Sequence, residues 1–357
     1  MYAIDLHLDL AMNATEWNRD LRLPVPVIRE QEVGMTDRTD RGKGTVALPE
    51  LREGGIGLVV ATQIARVAGP GAPFPGWRSA EQAWAHTQAQ LAWYRCMEEQ
   101  GEMVQVRNQL ELEKHLSLWS DEDTTLQKPV GYILSLEGAD SLVDVSYLER
   151  AYAYGLRALG PGHYGPGRYA NGTNATGKMG KMGVDLVKEM DRLEMILDAT
   201  HLNDDAFWQA LDIFKGQVWA SHNLCRALVD HNRQFSDDMI RALIERGAII
   251  GMAMDAWMIV PGWVRHQSTP EGTNCNIAAL AQHVDHICQL IGNVDHVSIG
   301  TDLDGGYGKE QSPYDIDTIA DLSILGEKLK DLGYKDGDIE AMMKGNALRF
   351  LREALPE

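Results

Sequence analysis

Apolar runs bounded by turn residues recur along this chain with helix-periodic stretches between them, and that alternation is the signature of βαβ units in a parallel sheet. Eight runs carry it: Ala3 to His7, Gly57 to Ile64, Gly131 to Glu137, Leu156 to Leu159, Met195 to Ala199, Val218 to Ser221, Ala248 to Met254 and His296 to Gly300. Amphipathic stretches at Ser79 to Glu99, Ser146 to Tyr154, Val184 to Glu194, Ser236 to Arg246 and Ile277 to Ile291 predict intervening helices. Eight strand-helix units in 357 residues predict an α/β fold, a (β/α)8 TIM barrel. A short further strand near Met103 to Val106 leaves that count unchanged.

The first strand-to-helix connection, Asn13 to Leu51, is long and rich in charge and glycine. Loops of that length in compact domains are usually lids or binding loops, with disorder as the rival reading. No Pro/Ser-rich linker, charge block, repeat or low-complexity tract divides the chain. Residues 1–357 therefore read as one barrel domain, with the loop at about 13–51 near the active-site face.

Composition removes several classes of function. Hydrophobic residues make up 44% and charged residues 24%, as expected for a globular protein with a substantial core. The net charge of −19 repels phosphate backbones and anionic lipid, which argues against nucleic-acid and membrane-surface roles. MYAIDLHLDLAMN has no basic segment leading a long apolar run, so the expectation is a cytoplasmic chain. Cys96, Cys225, Cys275 and Cys288 lack CxxC spacing and are expected as buried or half-buried free thiols.

Seven residues able to bind metal or carry protons stand at or just after the C-terminal end of a predicted strand: His7, Asp9, Glu137, His163, His201, His222 and Asp302. Barrels of this kind build their sites there. DLHLDL sets His7 and Asp9 two residues apart, so in extended chain both leave on one face. An imidazole and a carboxylate together suit zinc or another borderline divalent ion, although HxD alone also fits a capped strand end. Glu137 ends an apolar run where an unpaired charge is costly, and either a metal or an arginine partner would relieve that cost. LDATH and VWASH give His201 and His222 the same address in successive strands, making five donors, enough for two ions sharing Glu137.

GTDLDGG places Asp302 nearest the barrel mouth as a candidate general base and acid, with Asp304 supporting the turn that Gly305 and Gly306 permit. His163, in LGPGHYGPGRYANG, is a candidate donor to a polarised carbonyl oxygen or an oxyanion. Gly160 to Gly165 spells GxGxxG, but no helix follows to hold a pyrophosphate, so a dinucleotide site is rejected. Arg233, in DHNRQFSDD, offers a guanidinium fork to a substrate carboxylate, the alternative being a solvated arginine answering Asp237 or Asp238. His283 and His286 lie on the helix before the last strand and read as structural.

In their order and spacing, DLHLDL, TVALPELREGGIG, SLEGAD, GLRALGPGH, LDATH, ASH, HVDHI, GTDLDG and GNALRFL resemble the membrane dipeptidase (renal dipeptidase) family of zinc peptidases, within the amidohydrolase-like barrels. The resemblance spans almost the whole chain. It implies two Zn2+ per chain, one held by His7, Asp9 and Glu137, the other by Glu137, His201 and His222. His163 and Arg233 match the family's substrate contacts and Asp302 its proton-transfer aspartate. The activity implied is hydrolysis of a dipeptide's amide bond by a metal-bridging hydroxide, a D-residue at the C-terminal position being admitted and a homodimer being compatible. Arg233-Gln234 stands where the family has arginine-asparagine, MAMDAWM brings Asp255 and Trp257 to the pocket, and HYGPGRYANGT lacks the usual asparagine and tryptophan pattern, which leaves side-chain preference open. The rival readings are another barrel amidohydrolase acting on cyclic or N-acyl amides, and a non-catalytic metal-binding barrel, which would have no need of Asp302 and His163.

Overall fold

The computed structural model describes residues 1–69, 75–120 and 128–357. Nine strands form one sheet: β1 (Ala3–Leu8), β2 (Ile56–Ile64), β3 (Met103–Gln105), β4 (Val130–Glu137), β5 (Leu156–Gly160), β6 (Ile196–Asp198), β7 (Val218–Asn223), β8 (Ile250–Met252) and β9 (Val297–Ile299). Their order is β2-β1-β9-β8-β7-β6-β5-β4-β3, and a direct pairing of β2 with β4, from Leu58 opposite Gly131 to Ile64 opposite Glu137, closes the ring. All the pairings are parallel. Without β3, which pairs only with the first residues of β4, the ring is the eight-stranded (β/α)8 barrel that the hydrophobic pattern predicts.

Several strands are shorter than the apolar runs that announce them. The run Ala248 to Met254 contributes only Ile250–Met252 to the ladder, although its flanking residues are equally buried. Burial makes the hydrophobic run, whereas the ladder ends where the twisted strands diverge. Four of the surrounding helices are stopped at their N-termini by side chains accepting from the first turn: Ser79 from the Gln82 amide, Asn203 from Ala206, Ser236 from Met239 and Asn276 from Ala279.

Ile4, Leu6, Leu58, Val60, Ile133, Ala158, Ile196, Trp219 and Ile249 form one buried cluster. Residues from strands on so many sides of a ring can meet only in its interior. Phe350, Leu351 and Leu355 join them from the C-terminal helix Asn346–Ala354 and its end, the Phe350 ring lying 5.5 Å from that of Trp219. The helix thus plugs the N-terminal mouth and leaves the opposite mouth for the site.

The long connection after β1 is folded. It contains helices Leu10–Thr15, Val25–Gln31 and Leu48–Glu53 and buries Trp17, Leu21, Val25 and Ile28. At its centre the buried Arg19 donates to Glu32 (2.8 Å), Asn13 Oδ1 (2.8 Å) and Asp40 (3.1 Å). Asp304, beyond β9, departs from its expected role in a turn: its carboxylate accepts from the Thr45 and Val46 amides and the Thr45 hydroxyl, at 2.7–3.0 Å, and ties this segment to the barrel mouth. Cys225, Cys275 and Cys288 are buried, whereas Cys96 is exposed on its helix. Among the described residues no helix is long and apolar enough to cross a membrane.

Candidate metal centre

His7 is the penultimate residue of β1 and Asp9 follows the strand, Glu137 is the last residue of β4, His201 stands three residues beyond β6, His222 lies in β7 and Asp302 three residues beyond β9. The strand-end address therefore brings these side chains to one mouth. The ladder register shifts between Asp5 and Leu8 in β1 and between Ala220 and Asn223 in β7, at the places that carry His7 and His222. Irregularities of this kind re-aim side chains. Two buried aspartates take up the backbone donors at these ends. Asp5 accepts from the His7 amide and, across to β9, the Thr301 amide (both 3.0 Å). Asp198 accepts from Thr200 and, across in β7, Ser221 (both 3.0 Å). His201, Asp302 and Asp304 have φ of 68°, 57° and 61°. Left-handed backbone at non-glycine residues is uncommon and costly, and it clusters at functional sites.

At the centre, Glu137 Oε1 lies 3.6 Å from His7 Nε2, 3.5 Å from His163 Nε2, 3.3 Å from His201 Nε2 and 3.5 Å from His222 Nε2. Three donor sets each fall within 4.8 Å: His7, Asp9 and Glu137; Glu137, His201 and His222; and His7, His222 and Asp302. The first two are the sets implied by the family resemblance. The third puts Asp302 beside His7 and His222, at the same centre.

The donor chemistry fits a metal. His7 Nε2 is buried with no hydrogen-bond partner, and the His201 and His222 Nε2 atoms face each other at 3.2 Å. The Nδ1 atoms of those two rings lie 2.9 Å from the hydroxyls of Thr173 and Ser221, which orients each ring with Nε2 toward the centre. Desolvation pushes the Glu137 and Asp302 carboxyls well above their usual range, Asp9 adding to both, and pushes His201 and His222 well below theirs. His7 is lowered to about 3, chiefly by burial. Without a cation the pocket penalises every charge that its ligands can carry, and a divalent ion reverses that penalty.

Above this centre lies a cavity of about 200 Å³, lined by Trp17, Arg38, Arg66, His163, Tyr164, Arg233, Asp255, Trp257, Arg265 and Tyr307 among others. Arg233 is buried, held by Asn223 Oδ1 and by the His222 carbonyl at 2.8 Å, so its expected alternative as a solvated surface arginine is set aside. Asp255 accepts from Trp257 Nε1 (2.7 Å) and Gln311 Nε2 (2.8 Å). His283 is structural, bridging the Cys225 amide (3.2 Å) and the Ile259 carbonyl (3.0 Å). Residues 161–180 are irregular and the next helix begins only at Lys181, so GxGxxG has no helix to serve.

Sequence reasoning missed the supports: Asp5, Thr62 (which bonds Asp9), Thr173, Asp198, Ser221 and, in the cavity itself, Arg66. Asp198 and Arg66 share the strand-end address that singled out the candidate ligands, although that address says nothing of what either one bonds. The hydroxyls carry no such signal, because serine and threonine occur at any strand end.

A family model described as membrane dipeptidase (peptidase family M19) matches residues 1–355. The chain is 26% identical over 181 residues to dipeptidase 3 of Mus musculus, a match covering 51% of this chain and 34% of the mouse protein. Among solved structures, dipeptidase AC, a metallopeptidase, superposes with a TM-score of 0.79 at 22% identity, covering 100% of this chain and 99% of its own. A metallopeptidase from Rhodobacter sphaeroides, liganded with a phosphinate mimic of the dipeptide L-Ala-D-Ala, superposes with a TM-score of 0.77 at 20% identity, covering 99% of each chain. These two likenesses share the fold of the barrel.

Proposed function

The chain belongs to the membrane dipeptidase family, peptidase family M19, and from that premise we propose that it hydrolyses the amide bond of dipeptides with two divalent metal ions. Zinc is the ion that this histidine and carboxylate donor set suits best. The observation that carries the reading is Glu137 Oε1 at 3.3–3.6 Å from four imidazole Nε2 atoms, in a pocket where desolvation outweighs the opposing charges of Arg66 and Arg233. His7, Asp9 and Glu137 would hold one ion, and Glu137, His201 and His222 the other. When bound, the ions supply Lewis acidity for the scissile carbonyl and for the attacking water.

The remaining steps belong to side chains. Asp302, grouped with His7 and His222 within 4.8 Å at the centre, takes the proton of the attacking water and delivers it to the leaving amine. His163 Nε2 donates to the carbonyl oxygen as it gains charge. Arg233, fixed by Asn223 and the His222 carbonyl, pairs with the substrate's free carboxylate. The L-Ala-D-Ala mimic on the Rhodobacter protein supports extending acceptance of a D-residue at the C-terminal position to this chain.

The test is to strip and reload the protein with zinc, count bound metal in wild type and Glu137→Gln, and assay L,L and L,D dipeptides beside their C-terminal amides. The expected result is two ions in the wild type and fewer in the variant, with the free acids turned over at least about tenfold better than the amides, as loss of a charge-assisted contact requires. One ion in both proteins, or equal turnover of acids and amides, would sink the binuclear reading or the Arg233 reading respectively.

A further inference from the structure

Arg66 lies two residues beyond β2, and its Nε donates to His163 Nδ1 at 2.7 Å. A guanidinium has no acceptor, so the imidazole nitrogen that meets it must be the unprotonated one. A neutral imidazole carries one N–H, and here it must be on Nε2. That atom faces the centre, 3.5 Å from Glu137 Oε1.

Backbone contacts already settle where the ring sits. The Thr173 amide donates to the His163 carbonyl at 2.8 Å, and a Cβ at Gly172 would overlap that same carbonyl oxygen. The ring packs 4.4 Å from that of His201 and 4.9 Å from that of Tyr164. None of these contacts distinguishes one ring nitrogen from the other. Arg66 does, because it is the hydrogen bond at Nδ1.

We propose that Arg66 is a positioning residue that locks His163 in the Nε2–H tautomer, so that the imidazole presents a donor, and never a lone pair, to the substrate carbonyl oxygen. This rests on the reading of His163 as that donor. An Nε2 lone pair would repel a developing oxyanion and would also compete for the cation meant for His201 and His222. With Arg66 in place, the tautomer is set before substrate arrives, and no reorganisation is required as charge develops.

Two measurements on the zinc-loaded enzyme test this. In protein carrying 15N-labelled histidine, NMR reads which nitrogen of His163 holds the proton; Nε2–H in wild type, giving way to a mixture in Arg66→Met, is expected. This readout does not depend on turnover, so it separates failure of the tautomer lock from failure of the dipeptidase reading, which would appear as no wild-type hydrolysis of any dipeptide. In the second, a mutant cycle compares kcat on a dipeptide. His163→Ala should lose on the order of 100-fold and Arg66→Met about tenfold or more, with KM little changed. Arg66→Met should add nothing in the His163→Ala background, and Arg66→Lys, whose ammonium also only donates, should recover part of the loss. Nδ1–H in wild type, or losses that multiply in the double variant while metal content and melting temperature hold, would overturn the proposal.

Discussion

Asp255 is the cavity carboxylate furthest from its ordinary behaviour without belonging to any ligand set. Burial pushes it up to about 7 despite the hydrogen bonds from Gln311 and Trp257 and the charges of Arg265 and Arg233. An aspartate titrates near 4 in the unfolded chain, so between about pH 4 and 7 the folded protein binds the extra proton and stability falls as pH rises through that window. The full effect is on the order of 4 kcal/mol. Thermal unfolding of the metal-free protein at pH 5 and pH 8 should therefore show a larger loss for wild type than for Asp255→Asn, which has no carboxyl to ionise. Equal pH dependence in the two would mean that Asp255 is not held neutral. Asp255 is visible in the sequence only as a departure, MAMDAWM, whereas the five candidate ligands are legible because an unpaired charge or imidazole at the end of an apolar run has few other uses. Arg66 was not legible: its effect depends on meeting His163 across 97 residues of chain, and no local pattern encodes that meeting.

At the level of elements, the strands and the helices around them were readable because hydrophobic period and cap residues act locally. Ile277–Ile291 falls where its pattern places it. The helix Val25–Gln31 lies within a segment whose charge and glycine predict a loop, although Pro24 at its N-cap and Pro26 in its first turn are what a helix start favours. Charge density hides it, and part of that charge is internal: Arg19, Glu32 and Asp40 are all buried. Asp304 joins this strap to the mouth, and the strap contributes Trp17 and Arg38 to the cavity wall. Asp304→Ala leaves the Thr45 and Val46 amides and the Thr45 hydroxyl without their acceptor, a loss of roughly 3 kcal/mol if the donors stay buried. Hydrogen exchange should accelerate through residues 17–47, and KM for a dipeptide should rise while metal content is kept. Unchanged exchange there would show that the strap is held by its own Arg19 network.

Across the whole molecule, chemistry and stability are placed at opposite mouths of one barrel. The ligand-bearing strand ends and their strained residues His201 and Asp302 lie at the C-terminal mouth, while Phe350 and Leu351 of the C-terminal helix close the other against Trp219, Leu58 and Ile133. The net charge of −19 belongs to this scale too, since it raises the local concentration of cations around a site that needs them and says nothing of the fold. If the plug serves stability alone, Phe350→Ala should empty a space beside the Trp219 ring, 5.5 Å away, that the barrel interior cannot collapse to fill. Truncations of this kind cost about 3 to 5 kcal/mol, which in a chain of this size lowers the melting temperature by several degrees or more. Metal content and kcat measured well below the new midpoint should stay within about twofold of wild type, because β1, β4 and β7 still present the same ends to the opposite mouth. Loss of metal from the folded variant would show instead that the plug sets the strand register on which His7 and His222 depend, and that the two mouths are mechanically one.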